Sequence, residues 1–284
     1  MRIDLLEQAL IEIKHELETA IRTSSFNGKQ YSDGVAAKQA LIRSSKLIMK
    51  IHEVTKISLV DEITKSTSDF TIHPPIGKTA PELSIIGLLK KKKQDIVVLF
   101  DDIPTEPEFI TEGPLVGLKD PLGKEKTEKS IVIGVRSQLS SINKNFDTLM
   151  ERAFAETLNL RLRVPDLVMG DVYLLPVVEY DDVSMKKNKV AWKNEPVSIE
   201  KFIRIFRAIS DRNSQKGDPE IYKYEKVALV LADFRSNPPH LFLTTEDLKS
   251  AGIISHRFEL SYESLSPLHF TDELVDKYFT RHYL

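Results

Sequence analysis

The sequence predicts a mixed α/β fold, with a central sheet flanked by helices and preceded by a helical N-terminal segment. Three observations predict it. Apolar residues recur at three-to-four spacing through the first sixty positions. The rhythm then changes to short runs rich in isoleucine and valine between turn formers. From residue 144 onward, helical and strand-like segments alternate, the order of a layered α/β arrangement.

Residues 3 to 22 place Ile3, Leu6, Leu10, Ile13, Leu17 and Ile21 on one helical stripe. After turn residues at Asn27-Gly28 and Asp33-Gly34, the spacing of Leu41, Leu47, Ile51, Val54 and Leu59 predicts one longer helix over 35 to 63. Pro74 and Pro75 forbid helix beyond it. Strands are predicted at 96 to 100, 115 to 118 and 131 to 133, the last two joined as a hairpin by the turn chemistry of Asp120-Pro121-Leu122-Gly123. There follow a helix over 144 to 160, a long strand over 167 to 178, a helix from Ser198 to Ile209 with Ser198 as cap, and a buried strand over 227 to 232. With neither a repeat nor a clean linker, the reading is one domain over 1 to 284. Within it, helices occupy 1 to 65, the α/β core 66 to 235, and a C-terminal extension 236 to 284.

Composition is ordinary for a folded chain, with 41% hydrophobic and 29% charged residues. No run approaches the apolar length of a membrane span, and the N-terminus lacks the order of a signal peptide, so a cytoplasmic protein is expected. The absence of cysteine excludes disulfides, thiolate metal sites and cysteine nucleophiles. A net charge of −2 argues against a surface coated in positive charge but not against a basic cleft around an acidic centre.

The most informative stretch runs from Ser130 to Glu156, where a buried-type strand ends in Gly134-Val135-Arg136-Ser137-Gln138 and passes through Asn145-Phe146 into a helix bearing Glu151, Arg152 and Glu156. This segment, with the strand through Gly170-Asp171-Val172-Tyr173 after it, resembles the PD-(D/E)XK restriction-endonuclease superfamily. That family sets an Asp on one strand and a Glu-x-Lys pair on the next, followed by such a helix. The resemblance implies Mg²⁺-dependent cleavage of double-stranded DNA by a homodimer, in the manner of a type II restriction enzyme.

The resemblance also assigns candidates residue by residue. Asp95, at the mouth of the 96 to 100 run, matches the metal-binding Asp, with Asp120 in the following turn as the second candidate. Gly134 stands where the family has Glu and cannot ligate a metal. Some members carry that carboxylate on the following helix, which points to Glu156 or Glu151; these lie about 140° apart around a helix, so only one faces the sheet. Glu156 is preferred. Arg136 stands where the family has Lys; arginine stays protonated and clamps a phosphate, but does not take a proton from water. An arginine at a strand end also pairs readily with a neighbouring acid.

Lys92 and Lys93, Gln138, Arg152, Arg161 and Arg163 are the candidate DNA contacts. The loops Met185 to Lys189 and Asp211 to Glu220 are the candidate base-reading segments. Gly77-Lys78-Thr79 lacks the leading glycine of a phosphate loop. His52-Glu53 has Lys56 where a zinc-protease signature needs its second histidine. Gly134 and Arg136 also suit a catalytically silent relative that binds DNA or a partner in a phage-defence system. A third reading has Gly134 replacing a native Glu.

Overall fold

A computed structural model describes residues 1–213 and 215–283. Three helices lead the chain: α1 (Ile3–Thr23), α2 (Gly34–Arg43) and α3 (Lys46–Ile63). The main sheet and the longer helices that follow are β1 (Phe70–His73), β2 (Ile96–Phe100), β3 (Ser130–Ser137), α4 (Phe146–Arg161), β4 (Val168–Pro176), α5 (Ile199–Ala208), β5 (Lys226–Asp233), β6 (His240–Phe242) and α6 (Phe270–Tyr283).

The strands form one mixed sheet in the order β6-β5-β4-β3-β2-β1. β1, β2 and β3 run antiparallel in turn, β3, β4 and β5 run parallel, and β6 closes the edge antiparallel to β5. The parallel joins need crossovers, and α4 and α5 supply them.

Alternation along each strand sends side chains to two separate apolar layers. On one side Val132, Met169, Tyr173 and Leu229 pack against Phe146 and Leu149 of α4 and Phe202 and Phe206 of α5. On the other, Ile133, Val172 and Val230 meet Leu10 and Ile13 of α1, Ile51 and Leu59 of α3, and Leu274 and Tyr278 of α6. The central strands are covered on both faces, which is why β3 to β5 read as continuous apolar runs instead of alternating ones. Among the described residues, no helix is long and apolar enough to cross a membrane.

Three expectations need correction. The helix expected over 35 to 63 is two helices, because Ser45 takes a left-handed φ of 63° and breaks the ladder after Ser44. Residues 115 to 118 are not a strand: Gly113 and Gly117 turn the chain at positive φ, and Val116 is 63% exposed. Lys119–Asp120 pairs with Glu108–Phe109 instead, and the antiparallel partner of β3 is β2, with Ile96 opposite Ile133. Ser198 precedes α5 as expected, yet its side chain makes no capping hydrogen bond.

Candidate active site

The site is assembled where the start of β2 meets the end of β3. Asp95 precedes β2 and is partly buried, and its Oδ2 accepts the Val135 amide at 2.8 Å. The expected neighbourhood of Asp95 and the Gly134-Val135-Arg136 triplet therefore exists, fixed by the β2–β3 register. Gly134 and Arg136 lie two apart on β3 and face the α4 side.

Opposite Gly134 in the parallel register stands Asp171 of β4. A Cβ at 134 would lie 2.6 Å from Asp171 Oδ1 and 3.3 Å from Arg136 Nη2. The glycine thus leaves room for a carboxylate from the next strand, which occupies the space where a side chain at 134 would begin. Asp171 is fully buried, neither of its oxygens is hydrogen-bonded, and its nearest cation is Arg136 Nη1 at 3.6 Å. Burial pushes its carboxyl up to about 7; Arg136 opposes that rise, while Glu156 and Asp95 add to it. This residue was missed in the sequence, although an acid inside the apolar run Val168 to Leu175 was a signal, since aspartate is seldom fully buried without a purpose.

Glu156 reaches the same point from α4. Its Oε2 pairs with Arg136, and its Oε1 pairs with Lys92 of a small hairpin formed by Ser84–Ile86 and Lys91–Lys93. Burial works against the charge of Arg136, but Asp171 and Glu156, with Tyr224 and Tyr173 behind them, outweigh it and hold the guanidinium above its ordinary pKa. Asn159 clips the hairpin to α4: its Oδ1 accepts the Leu89 and Lys90 amides at 2.9 and 3.1 Å, and its carbonyl accepts Leu88 N at 2.7 Å. The result is a cleft of about 690 Å³ whose polar lining includes Lys92, Arg136, Gln138, Arg152 and Glu156.

No protein-family model, curated protein or solved structure matches the chain.

The remaining candidates divide cleanly. Arg152 is exposed on the cleft wall, Gln138 lines it while donating to Ser140 O, and Lys93 is exposed on the hairpin. Glu151 points to solvent and does not join Glu156. Arg161 is a correction: it is 1% exposed and bound to Glu225 and the Leu167 and Lys223 carbonyls, so no phosphate can reach it. Arg163 and Asp120 pair with each other at 2.6 Å, Arg163 also taking Glu108, which removes Asp120 from the Asp95 cluster. Asn188, in the first candidate loop, accepts hydrogen bonds from Ser24 and Gly34 and docks α1 and α2. In the second, Arg212 is buried and Ser214 lies outside the described residues.

Among the described residues, no group of three or more His, Cys, Asp or Glu side chains is arranged to hold a metal. Asp95 and Asp171 nevertheless supply hard oxygen donors, and the two Asp171 oxygens are buried without hydrogen bonds. Mg²⁺ characteristically takes only one or two carboxylates and completes its shell with water and phosphate oxygens, so this pair suits it in kind.

Proposed function

We propose that the chain is a Mg²⁺-dependent endonuclease that hydrolyses phosphodiester bonds of double-stranded DNA, on a restriction-endonuclease-like sheet and as a homodimer whose two sites address the two strands. The observation that carries this reading is the entry of Asp171 into the space left open by Gly134, beside Arg136 and across β3 from Asp95. Two carboxylates and a phosphate-clamping cation then stand at one sheet end, with Lys92 and Arg152 around it for the DNA backbone.

Asp95 and Asp171 would hold the metal, which when bound polarises a phosphoryl oxygen and acidifies water. Arg136 neutralises the phosphate and, always charged, moves no proton. Gln138 and Arg152 line the path along which the backbone enters. The alternative, a silent relative that binds DNA or a phage-defence partner, is favoured by one observation: Glu156, the expected second metal ligand, is held between two cations.

Incubating the chain with long unmethylated DNA in Mg²⁺ and in Mn²⁺, then mapping fragment ends, separates the two. Uniform ends, abolished by EDTA and by Asp95→Asn while gel-shift binding survives, are expected. Intact DNA in both metals with binding retained would sink the enzyme and leave the silent subunit.

A further inference from the structure

Glu156 presents its two oxygens to two cations on different elements, Arg136 of β3 and Lys92 of the hairpin. Its side chain is only 8% exposed, whereas those of Arg136 and Lys92 are 20% and 37% exposed toward the cleft. A carboxylate bridging an arginine and a lysine offers the same paired anionic oxygens that two non-bridging oxygens of a phosphate offer, and both cations are donors suited to such a group. Arg136 does not depend on Glu156 alone for its compensation, because Asp171 stands behind it at 3.6 Å. The guanidinium thus keeps one carboxylate below and can exchange the one above.

We propose that Arg136 and Lys92 form a phosphate site, and that Glu156 occupies it from within the chain until a phosphate displaces it. The proposal rests on the nuclease reading for its substrate, a backbone phosphodiester, and adds a control on that site: the resting protein shields its phosphate clamp with its own acid. The hairpin that carries Lys92 is fastened to α4 by Asn159, on the same helix as Glu156. Displacement therefore needs only the Glu156 side chain to move.

The test measures binding of inorganic phosphate by titration calorimetry in EDTA, so that neither metal nor cleavage enters. Glu156→Gln keeps the shape and removes the internal anion; it should bind phosphate at least tenfold more tightly than the unmodified chain. The gain should vanish in the Glu156→Gln/Arg136→Ala double variant. Asp147→Asn, an 87% exposed acid on the same helix, removes an equal charge far from the pair and should change binding less than twofold. Glu156→Asp, which shortens the reach and retains the charge, gives an intermediate gain and serves if the glutamine variant does not fold. Equal or weaker phosphate binding by both Glu156 variants, or a gain that survives loss of Arg136, overturns the proposal. DNA cleavage by the unmodified chain is scored separately, so the nuclease reading and the internal occupant can fail independently.

Discussion

Asp171 holds a carboxylate in an environment that opposes its ionisation. Its carboxyl sits at about 7, against an ordinary value of 3.8, chiefly because of burial. A raised acid binds more protons folded than unfolded, so stability falls as pH rises between those two values, by roughly 1.4 kcal/mol per pH unit, and the loss is complete above about pH 7. Asp171→Asn removes the titration. Its melting temperature should exceed that of the unmodified chain at pH 8, the difference shrinking toward pH 5, while DNA cleavage is lost. A pH-independent difference would mean that Asp171 does not ionise in this window. Residues at the site were legible to unequal degrees. Asp95 and Arg136 sit at strand ends where local pattern marks them, and Glu156 lies inside α4, where helical spacing from the apolar residues before it does the same. Asp171 is defined by the residue across from it, and the register that brings it to Gly134 has no local signature.

Elements position these residues more than they contribute them. The Lys92 hairpin has only two short strands, the kind of piece that is marginal alone in water, and the Asn159 clip is what makes it part of the site. Gly87 belongs to this contact, since a Cβ there would lie 2.3 Å from the Asn159 carbonyl. Asn159→Ala leaves the Leu89 and Lys90 amides without their acceptor and should cost about 1–3 kcal/mol. DNA affinity should drop with it as Lys90 and Lys92 lose their placement. Urea denaturation and fluorescence anisotropy check the two effects, and a destabilised variant with undiminished affinity would remove the hairpin from the binding surface. At this scale the sequence read well where helical periodicity or an unbroken apolar run was long, as in α1 and α4 and in β4 and β5. It misread 115 to 118, where Leu115 and Val116 lie between two glycines of positive φ, Gly113 and Gly117. It overlooked α6, although Phe270, Leu274 and Tyr278 carry helical spacing.

Across the whole molecule, one buried ionic knot links distant segments. Glu225, fully buried just before β5, accepts Arg281 of α6 at 2.6 Å, Arg161 of α4, Arg212 at 3.4 Å and the Met169 amide of β4 at 2.5 Å. Burial alone would raise its pKa, but Arg161 and Arg281 outweigh it and hold the carboxyl below the usual carboxylate range. A depressed acid contributes stability above its unfolded pKa that is lost as pH falls through the folded one. Glu225→Gln strands buried guanidinium charge and should cost about 3–5 kcal/mol at pH 7, with a smaller deficit at pH 3. Denaturant titrations at both pH values check this, and an equal deficit at each would assign Glu225 to packing alone. None of this knot was legible in the sequence, because its charges lie up to 120 positions apart, from Arg161 to Arg281, and meet only after both layers close. The spatial order of the six strands repeats their order in the chain, so a growing polypeptide can lay each strand beside its predecessor without waiting for later sequence. The candidate site is complete once β4 is in place, yet Glu225 receives Arg281 only when the last helix arrives. During synthesis, the candidate face would therefore take shape first and be fastened last.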